Sequence, residues 1–332
     1  MRFERIVIGV DFSTASLNAV RWVAAHFAPR AKLVLAHVVP RPHTPAFLRD
    51  RSPAAGDAVE PTLYPGLSGF ADLAGARWTD VAVREGRPEH ELAALAHDVG
   101  ADLICVGRSQ RRRGAGRFGA TTPQRLLART SAPVLVVPAE ARLPPVSLLA
   151  AVSDGAEGER VLRAAAALAT AWDARVDVLH SVDPAIAAAG DAAGQVRAVA
   201  ELTEAWLERR VSDVPMPGRR VTTIAHVGEA SDAIISHATR ANTDLVVIGR
   251  RTEPDDVVAE TGCIGSTTRM VTWAAPCPVL IVGSPVRARP VGDLVFPHRV
   301  SERRFAELGG RRGIGAPARQ RIVFPPGGGD AA

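Results

Sequence analysis

The sequence predicts an α/β protein made of two consecutive parallel sheets of five strands each, with helices on both faces of each sheet. Short apolar segments rich in Val, Ile and Leu alternate with segments of helical periodicity, the order of parallel strands joined by crossover helices. The same succession occurs twice along the chain. A length of 332 residues also suits about two domains.

The first unit follows this order from its first strand to its last. An apolar strand at 5–10 precedes Ser13, whose hydroxyl suits the N-cap of a helix that extends to about Phe27. Further strands are predicted at 32–39, 78–84, 103–106 and 134–137, and helices at 88–99 and 123–129. Residues 40–69 are rich in turn-forming residues, so we expect an irregular segment there.

The second unit repeats the pattern with a clearer second helix. Strands are predicted at 147–152, 175–181, 220–226, 245–248 and 279–282, and helices at 157–172, 194–211, 230–240 and 267–273. Apolar residues of the helix at 194–211 share one face, which we interpret as packing against the core. They are Val196, Val199, Leu202, Trp206 and Leu207.

Four landmarks recur at an offset of about 142 residues, which indicates a duplicated unit. They are an Asp after the first strand, a His near the end of the second, and a Gly after both the third and the fourth. The pairs are Asp11 and Asp154, His37 and His180, Gly86 and Gly228, and Gly107 and Gly249.

The domain boundaries follow from the repeat. We predict domains at 1–139 and 146–283, with a linker at 140–145 that is too short for free tumbling, so the sheets should pack on each other about a pseudo-twofold axis through their last strands. Residues 284–332 are rich in Arg, Gly and Pro and should form a basic disordered tail. Its arginines lack the interleaved aromatic residues of nucleic-acid-binding modules, so we disfavour a nucleic-acid partner.

Composition and cysteine spacing exclude several classes of protein. The net charge is +5 and Lys32 is the only Lys, which we attribute to biased Arg usage before phosphate recognition. Cys105, Cys263 and Cys277 have no CxxC spacing, so neither a disulfide framework nor a zinc site is expected. The N-terminal apolar run ends at Asp11, too early for a secretory signal or a membrane span. The cytoplasm is the expected location, without a membrane partner.

The sequence contains no nucleophile elbow, no HExxH and no P-loop ending in Gly-Lys-Ser. His37 and His180 stand at strand ends, where a structural hydrogen bond is the preferred interpretation. Cys105 and Cys277 lie beside apolar runs and are interpreted as core residues. We therefore expect no catalytic residue and no metal ligand, and predict that the protein is not an enzyme.

Each unit ends with a strand, a Gly, a long polar loop, a second Gly with hydroxyl residues, a short helix and a closing strand, at 101–137 and 243–282. Glycines and free N–H groups in such a loop can receive an anion. Together with the Asp, His and Gly landmarks, these loops resemble those of the universal stress protein family in a tandem form. The resemblance implies a Rossmann-like sheet of the adenine nucleotide α-hydrolase type and a cytoplasmic signalling role with ATP as the ligand, accompanied in some members by Mg²⁺.

The resemblance also implies the positions of the site residues. The first-strand Asp would contact ribose and adenine, backbone near the end of the second strand would receive the adenine, and the loop would hold the phosphates. In the first unit these positions are Asp11, Val38, Gly107, Gln110, Gly119, Ala120, Thr121 and Thr122. In the second unit they are Asp154, Val182 (with Ser181 as the alternative), Gly249, Thr252, Gly265, Ser266 and Thr267.

Both loops depart from the family pattern of Gly, two residues, Gly, nine residues, Gly and a hydroxyl residue. Gln110 and Thr252 replace the second Gly, and eight and twelve residues, respectively, follow before the last Gly. A Cβ at these positions could obstruct a phosphate. The charges differ too: the first loop carries Arg108, Arg111, Arg112, Arg113 and Arg117, whereas the second carries Glu253, Asp255, Asp256 and Glu260 beside Arg250 and Arg251.

The preferred interpretation is a stress-response module that binds ATP or a related adenine nucleotide in at least one of two degenerate sites. The alternative is a scaffold of the same fold that has lost nucleotide binding. A hydrolase of the related sheet is weaker, because no candidate base or metal cluster accompanies the loops. The expected partners are an adenine nucleotide and, within the chain, the other unit; a homodimer and protein partners stay open.

Overall fold

The computed structural model describes residues 3–27, 31–39, 79–108, 121–141, 145–183, 192–216, 220–250, 264–283 and 321–323. The first unit contains β1 Arg5–Gly9, α1 Thr14–His26, β2 Lys32–Val39, β3 Thr79–Glu85, α2 Pro88–Asp98, β4 Leu103–Arg108, α3 Thr122–Leu127 and β5 Val134–Pro138. The second contains β6 Ser147–Ala151, α4 Ala156–Trp172, β7 Arg175–Val182, α5 Ala192–Ser212, β8 Val221–Val227, α6 Ala230–Arg240, β9 Leu245–Gly249, α7 Ser266–Ala274 and β10 Val279–Val282. A final strand, β11, is Arg321–Val323.

Within each unit five strands are parallel, which confirms the predicted fold class. The two sheets also join, because β5 pairs antiparallel with β10, with Leu135 opposite Leu280. The strand order is β11-β3-β2-β1-β4-β5-β10-β9-β6-β7-β8. The order reverses between β1 and β4 and again between β6 and β9. These two crevices, at the carboxyl ends of the strands, are where open α/β sheets bind ligands.

Matching hydrogen bonds in the two units confirm the internal repeat. The Asp102 carboxylate accepts the N–H groups of Glu4 and Arg5, at 2.6 and 3.1 Å. The Asp244 carboxylate accepts those of Val146 and Ser147, at 3.0 and 3.1 Å, in the same way. Each Asp thereby anchors the start of the first strand of its unit. Both pairs lie at the amino end of the strands, away from the predicted ligand loops.

The two units share one core on the face of the sheet covered by α1 and α4. Trp22 of α1 is 1% exposed and meets Trp172 of α4 edge to face, with ring centroids 5.7 Å apart. His26 and Phe27 also pack against Trp172, with centroids 5.4 and 5.8 Å from its ring. Aromatic pairs of this geometry stabilise the fold beyond what burial of their surface alone contributes. The short linker thus joins units that are packed against each other, as predicted.

The sequence predicted that the apolar face of α5 packs against the core, but only part of that face does. Leu207 is fully buried, but Leu202 is 71% exposed and Val196 is 39% exposed. The reason is position: α5 covers only β7 and the edge strand β8, so one part of its apolar stripe reaches the sheet. Val199, Leu202 and Trp206 instead line a cavity beside the sheet.

The tail, which the sequence predicts to be disordered, contains a strand among its described residues. Within the segment expected to be disordered, Arg321–Val323 form β11, which pairs parallel with β3 and sets Ile322 beside Val81. The irregular segment predicted at 40–69, and the tail apart from 321–323, lie outside the described residues.

Candidate functional site

The first candidate site lies at the crevice between the carboxyl ends of β1 and β4. Asp11 follows β1, Val38 is near the end of β2, and Gly107 is near the end of β4. Thr121 and Thr122 stand at the start of α3, the helix that follows the loop after β4. The fold therefore brings these predicted residues to one end of the sheet. Three others, Gln110, Gly119 and Ala120, lie outside the described residues.

Asp11 is held in a tight turn by the residue that caps α1. Its Oδ1 accepts hydrogen bonds from the N–H of Ser13 at 3.0 Å and from the Ser13 hydroxyl at 2.5 Å. Partial burial raises the pKa of Asp11, but the hydrogen bonds from Ser13 outweigh it, so the pKa lies below its ordinary value. Asp11 is exposed and ionised at neutral pH, with one oxygen turned to the helix cap.

Phe12 is a residue of this site that the sequence reasoning missed. It has φ 61°, in the left-handed region that a bulky side chain rarely occupies. Its ring is 36% exposed and lies 4.8 Å from the His37 ring, centroid to centroid. His37 Nδ1 donates to the carbonyl of Val10 at 2.7 Å, so its predicted structural role is confirmed. The second unit has Gly155, with φ 84°, at the position of Phe12.

The backbone of Val38 is directed toward the crevice. The carbonyl of Ala36 accepts the N–H of Val10, on the β1 side, and the carbonyl of Val39 accepts the N–H of Gly86, on the β3 side. Backbone groups of successive strand residues point to alternate edges, so those of Val38 point to the β1 side. The β1 ladder has already ended at Gly9 opposite Ala36. The N–H and C=O of Val38 therefore overhang the end of β1 beside Asp11.

Gly107 allows β4 to touch the start of α1. A Cβ atom there would lie 2.5 Å from the backbone carbon of Ala15 and 2.6 Å from the N of Ser16, distances that real contacts do not reach. The first turn of α1 contains no acidic residue. An anion placed beyond Gly107 would thus meet the positive end of a helix with no competing carboxylate in that turn.

The hydroxyl residues that follow the first loop cap their own helix. Thr121 and Gln124 form a capping box, in which Gln124 Oε1 accepts the Thr121 N–H at 3.0 Å. Arg125 of the same helix lies 3.3 Å from the carboxylate of Glu89, which is 3% exposed. The Thr121 N–H is therefore already satisfied within its own helix and is not free for a phosphate.

The second site has the same frame. Asp154 follows β6 and is exposed, and His180 Nδ1 donates to the carbonyl of Val152 at 2.7 Å, which confirms the structural role predicted for His180. Gly265 caps α7, with Ser266 and Thr267 in its first turn, at the same edge of the sheet. Thr252 lies outside the described residues.

Strand register favours Ser181 over Val182 as the counterpart of Val38. The carbonyl of Val182 accepts the N–H of Gly228 at 2.9 Å, on the β8 side. The carbonyl of Leu179 accepts the N–H of Val152, on the β6 side. By alternation the backbone of Ser181 points to the β6 side. Val182, the residue predicted for the adenine contact, is directed away from Asp154, because the two edges of a strand take alternate residues.

The main difference between the sites is a carboxylate. A Cβ on Gly249 would lie 2.4 Å from both Cγ and Oε1 of Glu157, so the Glu157 side chain lies over the Gly that opens the second loop. The first turn of α4 carries both Glu157 and Glu159. Negative charge thus occupies the place and the helix terminus that an anion would need.

Arg108 and Arg250, two of the charged residues noted in the loops, hold the two units together. Arg108 donates to the carbonyls of Thr272 and Ala275, at the end of α7 in the second unit, at 2.8 and 2.5 Å. Arg250 donates to the carbonyl of Thr130 in the first unit. Burial lowers the pKa of both guanidinium groups. Each loop therefore begins with an Arg that crosses the pseudo-twofold axis.

An apolar cavity of about 260 Å³ adjoins the second site. It lies between the ends of β6 and β7 and the helix α5. The His180 and Trp206 rings are 4.9 Å apart, centroid to centroid, and Arg210 lies 5.0 Å from the Trp206 ring. The lining residues are Asp154, His180, Val199, Leu202, Thr203 and Trp206.

The described residues contain neither an exposed cysteine nor a candidate metal site. Cys105 and Cys277 are buried, as predicted, and burial raises both thiol pKa values, that of Cys277 to about 12. Cys263 lies outside the described residues. Across the described residues, no group of three or more His, Cys, Asp and Glu side chains could hold a metal ion. No helix in the same ranges is long and apolar enough to span a bilayer.

Comparison with known proteins identifies the family. The profile of the Universal stress protein family matches residues 2–138 and 147–283, which together are most of the chain. The chain belongs to the universal stress protein family. It is a tandem member, with one family unit on each side of the pseudo-twofold axis.

Two kinds of relative extend this result. Universal stress protein Rv1636 of Mycobacterium tuberculosis is 29% identical over 140 residues, which is 41% of this chain and 96% of that protein. A universal stress protein structure from Archaeoglobus fulgidus aligns with TM-score 0.59 at 15% identity, over 84% of this chain and 98% of that one. A putative universal stress protein from Pseudomonas aeruginosa gives TM-score 0.53 at 15% identity, over 84% and 93%. These structural likenesses establish the fold.

Proposed function

We propose that this universal stress protein binds ATP or a related adenine nucleotide in its first unit, and that binding serves signalling without a catalytic step. The observation that carries the proposal is the contrast at the two helix starts. The turn of α1 beside Gly107 contains no acidic residue, whereas Glu157 of α4 lies over Gly249. Among the described residues, the first helical turn beside the phosphate position therefore carries a carboxylate only in the second unit.

The groups around the first crevice fit the parts of a nucleotide. The exposed Asp11 carboxylate can accept hydrogen bonds from ribose hydroxyls or an amino group, because only part of its capacity is used by Ser13. The Val38 N–H and C=O supply the paired donor and acceptor that a base edge needs. Phe12, next to Asp11 in sequence, adds a partly exposed aromatic ring that packs against His37.

Titration calorimetry with Mg·ATP tests this proposal. Wild-type protein should bind ATP, Asp11→Ala should weaken binding at least about tenfold, the equivalent of 1.4 kcal/mol, and Asp154→Ala should leave it unchanged. The last two variants form a matched pair, because both remove an exposed Asp after the first strand of a unit. Chromatography of the recovered nucleotide shows whether ATP stays intact over the titration.

Two results would overturn the proposal. Loss of binding in Asp154→Ala alone would assign the nucleotide to the second unit. Failure of wild-type protein to bind ATP would instead support a scaffold of this fold. A thermal unfolding curve for each variant distinguishes a lost contact from a lost fold.

A further inference from the structure

The last strand of the chain lies against the outer edge of the first unit. β11 pairs parallel with β3, with residues 321–323 opposite residues 80–82. This strand lies beyond residue 283, where the second match to the family profile ends. The chain therefore returns from the second unit to the first, at an edge that is two strands away from β1 and its crevice.

Backbone groups make this contact. The N–H of Gly86, which follows β3, donates to β2, and the backbone groups of successive strand residues point to alternate edges. Those of Val81 and Val83 therefore point away from β2, toward β11. In the parallel register, their partners are the backbone groups of Arg321 and Val323. Any extended segment can make such a ladder, because the bonds do not depend on side chains.

Opposite charges stand in register at the start of the ladder. Arg321 is paired with Asp80, and the Asp80 carboxylate also lies 3.7 Å from Lys32 Nζ. Opposite charges on facing strands stabilise a sheet, whereas like charges destabilise it. The next residues, Ile322 and Val323, are β-branched and suit a strand. The edge therefore fits an extended segment in which a basic residue is followed by β-branched residues.

β11 has the features of a strand that can leave its edge. It pairs with three residues of β3, which has seven. The equivalent edge of the second unit is β8, and among the described residues no strand lies beside it. The fold of a unit therefore does not depend on a strand at this edge.

The length of the connection sets how firmly β11 is held. Gly283 lies against the carbonyl of Ser131, just before β5, and β11 starts beside the start of β3. Both ends of the connection are thus at the amino edge of the first unit, four strand spacings or about 19 Å apart. The 37 residues at 284–320, which lie outside the described residues, can extend about 120 Å. A tether that exceeds its span in this way gives β11 an effective concentration of the order of millimolar.

We propose that the edge of β3 is a docking surface for an extended segment of a partner protein, and that β11 is a built-in competitor for this edge. The partner segment adds parallel to β3, with a Lys or Arg opposite Asp80 and β-branched residues after it. A segment that pairs with all of β3 makes a longer ladder than β11 and so displaces it. A second copy of the chain is a poorer occupant, because at micromolar concentration its strand is far more dilute than the tethered one.

Val323→Pro in the full chain tests the proposal, because it removes an N–H that β11 donates to β3. The probe is a synthetic peptide with the sequence of residues 319–326, RQRIVFPP, and the amide NMR signals of Val81 and Val83 report its binding. We expect half-saturation of this variant at or below a few millimolar, since a tethered strand closes the edge only if the free peptide binds in that range. Wild-type protein should need at least about threefold more peptide, because β11 occupies the edge.

Two further variants keep the test independent of one substitution. Arg321→Glu retains every backbone group but places a like charge opposite Asp80, so it should also open the edge to the peptide. Ala331→Pro is the control, because it introduces Pro into the tail beyond β11 and should behave as wild type. All three positions lie outside the two family units. The Arg321→Glu version of the peptide should bind at least about threefold more weakly than the original.

Three results would overturn the proposal. The first is that millimolar peptide leaves the Val81 and Val83 signals of Val323→Pro unmoved, and the second is equal half-saturation in this variant and in wild type. The third is a wild-type dimer that Val323→Pro converts to a monomer in sedimentation, which would assign the edge to a second copy. Because these measurements contain no nucleotide, failure of ATP to bind would count against the first-unit proposal alone.

Discussion

Three glycines of the two loops differ in whether close packing requires a residue without a Cβ atom. A Cβ at Gly107 would strike the backbone of α1, and one at Gly249 the side chain of Glu157, whereas one at Gly265 would meet no described residue within 4 Å. Backbone cannot move away from a clash, whereas a Glu side chain can rotate. The position of each Gly in a loop motif does not reveal this difference, because the neighbour comes from a helix distant in sequence.

Gly107→Ala should therefore destabilise the protein most, by about 1–3 kcal/mol as in other overpacked sites. Gly249→Ala should have a smaller effect, and Gly265→Ala should be close to neutral. Urea unfolding of the three variants measures the free energies. Equal losses at Gly107 and Gly265 would contradict the close approach of β4 to α1.

His26 makes the stability of the protein depend on pH. Burial lowers its pKa from 6.5 to about 4, and its Nε2 is buried without a hydrogen-bond partner among the described residues. Between these pH values the unfolded chain binds a proton that the folded chain does not, so stability falls as the pH drops from 6.5 toward 4. The slope from this group is at most about 1.4 kcal/mol per pH unit.

His26→Leu should flatten the pH dependence of unfolding between pH 6.5 and 4, because the variant has no proton to bind at this position. His97→Gln is the control, since His97 is exposed. Denaturant midpoints at several pH values provide the measurement. The same slope in wild type and His26→Leu would show that His26 is not held neutral by burial.

At the scale of elements, most strands and helices could be predicted because their signals are local. The periodicity at 230–240 and the apolar run at 279–282 match α6 and β10. Helix α5 shows the limit: its apolar stripe is real, but the edge of a sheet cannot cover all of it. Which face of a helix is buried depends on its neighbours, which sequence periodicity does not specify.

Arg108 and Arg250 connect elements across the two units. Removing Arg108 leaves two carbonyls at the end of α7 without their donor, and removing Arg250 does the same to the carbonyl of Thr130, all in part-buried positions. Hydrogen bonds from charged donors are worth about 1.5–3 kcal/mol. Arg108→Met should therefore lower the free energy of unfolding by about 2 kcal/mol, and Arg250→Met should act in the same direction.

Arg129→Met serves as the control, because Arg129 is exposed near the same interface. Its stability should stay within about 0.5 kcal/mol of wild type. Chemical unfolding curves for all three variants make the comparison. If Arg108→Met were as stable as Arg129→Met, the two arginines would not brace the interface.

At the scale of the whole molecule, duplication explains the frame that the two units share, and divergence explains why their candidate sites differ. The repeat, the parallel order and the packing of the two units could be read from sequence landmarks. The inequality of the sites could be read only in part: loop charges suggested it, but Glu157 over Gly249 and Ser181 in place of Val182 depend on strand register and helix placement. Such contacts between distant segments have no local signature.

One chain is proposed to carry one site for a phosphate-bearing nucleotide. Equilibrium dialysis of the wild-type protein against labelled Mg·ATP at saturation counts the nucleotides bound per chain. We expect one nucleotide per chain. Two bound nucleotides per chain would contradict it, because Glu157 would then not exclude phosphate from the second unit, and none would contradict nucleotide binding by the first.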